Sequence, residues 1–432
     1  MRKTLKSAAM VVAIGVVAAV AQGLPANGAT SCATLAPSDP SPGQRLGYSI
    51  AQSSDGEVTV AGSTQRYNGT TYDPSVAYVY VGATGSDLTA TETAQLVRTD
   101  PVGMSGNDSF GSSVDVSGNG DTIVVGAQNY ASGIGAVYVF QRTSSTSWEQ
   151  SAHLDAPAGA SSGQFGTSVA ISDDGTRLLA GAPALSTSSQ GGTAYYVLEN
   201  GSWVLKTVVP GGSASALGGQ DVEISADGTR AAVGAPQYKT TAGVYSGRVY
   251  TYTVTSSGLT PLATITDPST AASSSTGSSF GFGALSFTAD DNGLLIGAPF
   301  ATAAPGTTGS SLGGIAFYYR YAGGWSRSAT FSFPGTTSAR LGYAGGISPD
   351  GTRIVVGAPY YTGTPGGRAF YSQKTGTAWG ALGFVGPTGN NSSARVGISA
   401  GFGSNSRFVI GANTQDNPAG IRSGLAYVVD AS

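Results

Sequence analysis

Residues Phe165–Pro183 read FGTSVAISDDGTRLLAGAP, and this stretch decides the fold. Its first half alternates apolar and small polar residues, which is the pattern of a half-buried strand. The Asp-Gly pair in the middle is a strong hairpin signal, because glycine accepts the positive φ that a tight turn needs. The second half, RLLAGA, is a more apolar strand, and the proline ends it. The stretch therefore predicts two antiparallel strands joined by a tight turn.

Two further strands follow in the same segment. GTAYYVLE (Gly192–Glu199) is rich in aromatic residues, and the Asn-Gly pair after it predicts another hairpin turn. SWVLKTVVP (Ser202–Pro210) then supplies a fourth strand. Four antiparallel strands in about 55 residues are typical of one blade of a β-propeller.

The same pattern recurs seven times along the chain. The copies align on the glycine of a Val-Gly-Ala-like unit, at Gly62, Gly126, Gly181, Gly234, Gly297, Gly357 and Gly411. One four-stranded sheet cannot cover both of its apolar faces, whereas a ring of such sheets buries each face against the next. The sequence predicts an all-β fold, a seven-bladed β-propeller of four-stranded antiparallel blades.

The two ends of the repeat region predict how the ring closes. The seventh copy stops at its third strand, GLAYVVDAS (Gly424–Ser432). The segment Ser31–Pro40 has the pattern of the fourth-strand ends, such as ATITDP at Ala263–Pro268. We expect Ala33–Pro37 to pair beside Leu425–Asp430, so that the N-terminal strand closes the last blade and removes an open edge. The alternative is that the segment is an unpaired lead-in.

Residues 1–30 have the pattern of a secretory signal peptide. Arg2, Lys3 and Lys6 precede an uncharged apolar stretch at Ala8–Ala21, and small residues follow it. The stretch is shorter than the ~20 residues that span a bilayer, so a membrane anchor is the less favoured alternative. We expect cleavage within Ala21–Thr30, one propeller domain over residues 31–432, and a secreted, extracellular protein with no membrane insertion after cleavage.

Composition and residue types argue against several functions. The net charge is -3 and only 10% of the residues are charged, so no basic stripe is present for nucleic acid. His153 is the sole histidine, and no acid or cysteine near it suggests a catalytic triad. No His/Cys cluster suggests zinc. We therefore expect a protein that is not an enzyme and that uses no cofactor.

The repeats resemble a known family. FGSSVDVSGNGDTIVVGAQ (Phe110–Gln128) and the stretch quoted first resemble FG-GAP repeats, as in the N-terminal propeller of integrin α subunits. The resemblance covers residues 33–432 and implies the seven-bladed fold. Many FG-GAP repeats carry a calcium loop between the first and second strands, but here that connection is a tight turn with one or two carboxylates. Calcium takes six to eight oxygen ligands, so we expect no metal site and assign Asp173–Asp174 and Asp290–Asp291 to turn formation.

The connections between second and third strands vary most in length, and variable loops on a rigid scaffold commonly carry recognition. The candidate ligand-binding residues in them are Tyr67, Tyr72, Asp73, Tyr130, Tyr238, Tyr245, Phe300, Tyr360, Tyr361 and Asp416. Exposed tyrosines suit sugar faces or protein partners. Alternatively, several of these rings fold back and cap the ends of the blades.

The function predicted from the sequence is that of a secreted, non-catalytic binding or adhesion module. Its partner would be an extracellular protein or glycan, bound on the variable loop face. Two alternatives stay open, namely a carbohydrate-active lyase or hydrolase and a purely structural component of a matrix or envelope.

Overall fold

The structure is a computed structural model. It describes residues 31–64, 66–67, 72–73, 75–82, 90–100, 108–158, 162–185, 190–212, 216–239, 243, 245–268, 277–301, 312–334, 338–362, 366–385, 393–416 and 422–431. The predicted signal peptide lies outside the described residues.

Seven antiparallel sheets form the seven predicted blades of a propeller, and the first strand of each blade is the innermost. Blades 1 to 3 consist of Leu46–Gln52, Val58–Ser63, Val76–Gly82 and Ala90–Leu96; Phe110–Val116, Thr122–Ala127, Ala136–Ser144 and Ser147–Asp155; and Val169–Ile171, Arg177–Ala182, Gly192–Glu199 and Ser202–Pro210. Blades 4 and 5 consist of Asp221–Ile224, Arg230–Ala235, Arg248–Thr255 and Gly258–Thr266; and Ser286–Phe287, Gly293–Ala298, Leu312–Tyr321 and Trp325–Pro334. Blade 6 consists of Ala344–Ile347, Arg353–Ala358, Arg368–Thr375 and an outer strand divided into Ala378–Trp379 and Gly383–Val385.

Blade 7 is closed by the N-terminal strand, as the sequence predicts. Its strands are Val396–Phe402, Arg407–Ala412, Leu425–Asp430 and Ser31–Leu35. The last two run antiparallel, with Ser31 opposite Asp430 and Leu35 opposite Ala426. The closing strand therefore begins two residues earlier than the predicted Ala33–Pro37, and Leu35 is fully buried in it.

Outside the blades, the described residues contain two short elements. A two-stranded hairpin, Arg66–Tyr67 with Tyr72–Asp73, lies in the second connection of blade 1. A single helical turn, Tyr130–Gly133, lies between the second and third strands of blade 2, and residues with left-handed backbone conformations interrupt it.

A glycine contact between neighbouring blades explains the repeated Val-Gly-Ala unit. A Cβ on Gly126 would lie 2.0 Å from the carbonyl oxygen of Gly166 in the next blade. At the closing interface, a Cβ on Gly411 would lie 2.1 Å from the carbonyl oxygen of Gly47. The five other interfaces repeat the contact at 1.9 to 2.1 Å, pairing Gly62 with Gly111, Gly181 with Gly219, Gly234 with Gly281, Gly297 with Gly342 and Gly357 with Gly397. Only glycine fits where the blades are closest to the axis.

One aspartate of each predicted turn pair acts within its own turn, as predicted, but the other binds a different blade. Asp173 accepts a hydrogen bond from the Ser54 hydroxyl of blade 1 at 2.8 Å, and Asp291 accepts one from the Thr229 hydroxyl of blade 4 at 2.8 Å. In blade 3, Asp174 accepts hydrogen bonds from the Ser172 hydroxyl at 2.5 Å and the Thr176 N–H at 2.9 Å. Asp350 does the same in blade 6, and Asp290 accepts from the Thr288 hydroxyl in blade 5. Such hydrogen bonds from nearby backbone N–H groups to an aspartate carboxylate stabilise tight turns.

The core lies between the blades, in layers shared by neighbouring sheets. The third-strand aromatics pack between the blades, where Tyr195, Phe317 and Tyr318 are fully buried. Trp148 at the start of a fourth strand is 7% exposed, and its indole N–H donates to the Gly120 carbonyl at 3.0 Å. This repeated packing produces a rigid ring whose connections project at its two ends.

Candidate functional site

A cavity of about 320 Å³ lies on the axis of the propeller. The first strands of all seven blades line it, because these strands are the innermost. Five serines on its wall link neighbouring blades at five of the seven interfaces: Ser399 to the Gly47 carbonyl, Ser49 to the Gly111 carbonyl, Ser113 to the Gly166 carbonyl, Ser168 to the Val222 N–H and Ser286 to the Ile347 N–H. The cavity wall is therefore polar and rich in hydroxyl groups.

Three carboxylates replace such small residues on one side of the cavity. Asp115 of blade 2 accepts a hydrogen bond at 2.7 Å from the Ile171 N–H of blade 3. Asp221 of blade 4 accepts one at 3.2 Å from the Leu285 N–H of blade 5, and Glu223 is hydrogen-bonded to the backbone of the same neighbouring strand. Each carboxylate thus also links two blades.

Burial raises the pKa of all three groups. It raises the pKa of Asp115 to about 7 and that of Asp221 to about 6, although backbone N–H donors act in the opposite direction. Burial, and then the charges of Asp115 and Asp221, raise the pKa of Glu223 well above its usual range. The charges of Asp115 and Asp221 therefore act on Glu223, and burial favours the protonated, neutral form of all three groups.

Aromatic rings line one side of the cavity mouth, at the face that carries the connections between second and third strands. Tyr48 and Tyr343 line the cavity directly, and Tyr360 meets Tyr343 edge-on with their ring centroids 5.9 Å apart. Phe282 meets Tyr343 at 5.1 Å. All four rings are half-buried. Burial, followed by the neighbouring tyrosines, raises the pKa of Tyr343 to about 12, so its hydroxyl is a neutral donor.

Arginines stand beside these rings. The Arg340 guanidinium lies 4.1 Å from the centroid of Tyr360 and 4.6 Å from that of Phe300, and the Arg395 guanidinium lies 5.4 Å from Tyr360. Burial raises the pKa of Tyr48, and the nearby charge of Arg45 opposes this rise. We call Arg45, Arg340 and Arg395 with Tyr48, Tyr343 and Tyr360 the mouth cluster.

The structure brings two of the predicted residues, Tyr360 and Phe300, to this mouth. Two others cap the ends of blades, which is the alternative left open above. Tyr130 is 8% exposed and packs edge-on against Tyr138 at 6.2 Å, and Tyr361 packs against Phe370 at 6.1 Å.

The remaining predicted residues lie elsewhere on the same face. Tyr238 is stacked under Arg248 at 3.7 Å, and Tyr245 contacts Lys239 at 4.4 Å. Asp416 lies 3.7 Å from Arg422. Tyr67, Tyr72 and Asp73 lie in the short hairpin of blade 1, where Tyr67 pairs with Tyr72, and their side chains are outside the described part of the chain.

Sequence reasoning missed the cavity acids and the arginines of the mouth. The acids occupy register positions at which other copies carry serine, alanine or glycine, so aligning the copies on the first-strand glycine would have exposed them. The same alignment puts Arg45, Arg340 and Arg395 at one shared position, two residues before that glycine.

His153 packs against aromatic rings. Its ring stacks on Tyr138 with the centroids 4.7 Å apart and meets Tyr130 edge-on. Over the described ranges, no group of three or more His, Cys, Asp or Glu residues is arranged to hold a metal ion. Nor does that part of the chain include a helix long and apolar enough to cross a membrane.

Comparison with known proteins agrees with the fold. Residues 90–140 and 148–198 match the family model described as FG-GAP repeat. A solved structure, Kuenenia stuttgartiensis hydrazine synthase, is similar with a TM-score of 0.54 and 13% identity, over 92% of this chain and 97% of that one. At this identity the likeness shows the fold alone. No curated protein matches the chain.

Proposed function

We propose that this FG-GAP repeat propeller is a secreted, non-catalytic binding module that recognises an extracellular protein or glycan at its loop face. FG-GAP repeats are typical of extracellular proteins, which supports the predicted export. On a rigid propeller, binding depends on the side chains that the loops present and not on the ring itself. The proposal therefore depends on the mouth cluster.

The observation that carries the proposal is the mouth cluster. Three half-buried tyrosines and three arginines from three adjacent blades converge where a concave, polar cavity opens. Tyrosine and arginine are the residues that contribute most to recognition surfaces, because each combines apolar area with hydrogen-bond donors. A cavity of about 320 Å³ lies at the small end of the range of roughly 300–1,000 Å³ for ligand sites.

An array of extracellular glycans and proteins, probed with residues 31–432, tests this proposal. The informative variant is Tyr48→Ser combined with Tyr343→Thr, because Ser112 and Thr167 occupy the equivalent position in blades 2 and 3. The ring therefore already accommodates both residues at this position, and the variant should fold.

We expect a bound partner that the double variant loses. Leu205→Ala is the control, because it removes a 43%-exposed apolar side chain from an outer strand. Binding should persist in EDTA, since the tight turns leave no room for a calcium loop. A partner that binds the double variant and the Leu205→Ala control equally well would contradict a site at the mouth.

The cavity acids favour a second candidate, an extracellular hydrolase or lyase acting on polysaccharides. Carboxyl groups with pKa values of about 7 and 6 in one cavity suit general acid and base roles. The binding module is preferred because Asp115 and Asp221 accept backbone N–H donors from the neighbouring blade, at the interfaces where other copies use serine.

Asp115→Asn and Asp221→Asn separate the two candidates. As links between blades, the carboxylates should affect the unfolding midpoint, and the wild-type chain should show no turnover on a polysaccharide panel. Turnover that either substitution abolishes without lowering the unfolding midpoint would establish the enzyme.

A further inference from the structure

In each of the seven copies, the residue at one equivalent position near the start of the first strand has a left-handed backbone conformation. It stands two positions before the first-strand glycine and has φ between 52° and 60° in every blade, at Arg45, Ser109, Gln164, Leu217, Ser279, Arg340 and Arg395. Its carbonyl accepts a hydrogen bond from the residue three positions later in each copy, as from Tyr343 to Arg340 at 3.1 Å. The conformation belongs to the repeat, since serine, glutamine and leucine also adopt it. Only the identity of the side chain distinguishes one copy from another.

Arginine occupies this position in three copies that are adjacent in the ring. Arg340, Arg395 and Arg45 precede the first strands of blades 6, 7 and 1. Arg395 is exposed, and the other two are half-buried. The positive charge is therefore concentrated in one sector of the mouth, and the other four copies add none to it at this position.

These arginines have no acidic partner among the residues that the structure describes. The ion pairs found there involve other arginines, such as Arg353 with Asp350 at 3.5 Å and Arg407 with Asp430 at 3.8 Å. Arg340 and Arg395 instead lie against aromatic rings, and the charge of Arg45 acts on Tyr48. A guanidinium held against a ring keeps its in-plane N–H donors available, and this fork matches the two oxygens of a carboxylate or sulfate.

The interior of the cavity has the complementary chemistry. Its hydroxyl groups and the carboxylates of Asp115, Asp221 and Glu223 accept hydrogen bonds, and its walls are concave. A sugar ring supplies hydroxyl donors for these acceptors. A flat, acidic protein surface would meet the arginines but would leave the cavity empty.

We propose that the mouth cluster binds an acidic oligosaccharide, with its carboxylate or sulfate on Arg340, Arg395 and Arg45 and its sugar hydroxyls directed into the axial cavity. This inference rests on the proposed binding function and specifies its ligand class. The anion lies at the rim beside the tyrosines, and the neutral ring lies deeper, near the acids. Both a carboxylate and a sulfate fit the paired N–H donors of an arginine, so the test uses one probe of each kind.

Titration calorimetry of residues 31–432 with four probes provides the test. The probes are an oligogalacturonate, a sulfated carrageenan oligosaccharide, a neutral galacto-oligosaccharide of equal length and a polyglutamate peptide of equal charge. We expect one or both acidic sugars to bind at least about tenfold more tightly than the neutral sugar and the peptide, with affinity that falls as salt screens the charges. The acidic sugar that binds identifies whether the site takes a carboxylate or a sulfate.

The informative variant is Arg340→Gln with Arg395→Gln. Gln164 already occupies the equivalent left-handed position in blade 3, so the backbone should accept the change. We expect the double variant to bind acidic sugars about as weakly as the neutral sugar. Arg327→Gln, which removes one positive charge, is the control, because this exposed arginine lies on an outer strand, and it should leave affinity unchanged.

Several results would overturn the inference. These are an absence of binding to both acidic sugars, equal affinity for the neutral sugar, or affinity unaffected by the double arginine variant. Arginine-dependent binding of polyglutamate as tight as that of the sugars would assign the site to an acidic protein instead. If a partner is lost in the Tyr48→Ser, Tyr343→Thr variant but retained in the arginine variant, the binding function stands and only the anionic ligand fails. If neither variant affects any partner, both proposals fail.

Discussion

Replacing Gly126 by alanine should destabilise the propeller strongly, although the substitution adds one methyl group. The new Cβ would lie 2.0 Å from the Gly166 carbonyl oxygen and 2.3 Å from the Ser113 hydroxyl oxygen. Side-chain carbons do not approach other heavy atoms within 3.0 Å, so blades 2 and 3 would have to separate by about 1 Å, the difference between 3.0 and 2.0.

The cost follows from what that separation disrupts. Overpacking a well-packed interface costs about 1–3 kcal/mol, and a backbone carbonyl cannot rotate away as a side chain can. The hydrogen bond from Ser113 to the Gly166 carbonyl, 2.8 Å long, would also stretch, and such a bond contributes about 1 kcal/mol. We therefore expect a loss of about 2–4 kcal/mol in the free energy of unfolding, measured by equilibrium urea denaturation.

Two glycines of blade 5 supply matched controls. Gly324→Ala adds the same methyl group where no atom lies within 4 Å, and should change stability by less than about 0.5 kcal/mol. Gly323→Ala also meets open space, but its φ of 77° should cost about 1–2 kcal/mol from the backbone alone. If Gly126→Ala unfolds at the same urea concentration as Gly324→Ala, the close approach of the blades is wrong.

Three further outcomes are expected. Folding raises the pKa of Asp115 to about 7, so the folded state binds the proton of this carboxyl group more tightly than the unfolded chain does. The free energy of unfolding should therefore fall as pH rises from about 4 to about 7. Urea midpoints measured across that range should show a smaller decline for Asp115→Asn than for the wild type. Arg98 is buried and paired with Asp108 at 2.7 Å and Asp100 at 3.1 Å, so Arg98→Gln should cost about 3–5 kcal/mol in urea unfolding, whereas Arg327→Gln should cost almost nothing. Trp148→Phe should lower the free energy of unfolding by about 1 kcal/mol in the same measurement, because it removes the indole N–H that donates to the Gly120 carbonyl. If the variant is as stable as the wild type, this hydrogen bond contributes nothing to stability.

Features set by local sequence were predictable. The tight turns follow from Asp-Gly pairs, because a side-chain carboxylate and a positive-φ glycine act within a few residues. The four-stranded blade and its sevenfold repetition follow from the apolar pattern and the spacing. The closing strand was placed two residues too late, since the repeat shows that a strand is missing but the register depends on contacts with Leu425–Asp430.

Features created by bringing distant blades together were not predictable in the same way. The first strand of blade 3 was expected from Phe165 but begins at Val169, and Phe165 instead forms an isolated parallel bridge with Gly135 of blade 2. The acids of the axial cavity come from different copies, and their shared environment exists only once the ring has closed. Tyr130 and Tyr360 both lie in the length-variable connections between second and third strands. Tyr130 is nevertheless buried against its own blade, whereas Tyr360 lies at the mouth of the cavity.

The central claim is that seven blades form a ring in which the N-terminal strand completes the last blade. Cys32 is the only cysteine, and it lies opposite Val429 in the closing strand pair. Refolding a Val429→Cys variant in a glutathione redox buffer should give an intramolecular disulfide that joins the peptides containing residues 32 and 429, detected by mass spectrometry. Val428→Cys should give none, because successive side chains of a strand point to opposite faces. Absence of the 32–429 link, or equal yields from the two variants, would contradict the closed ring.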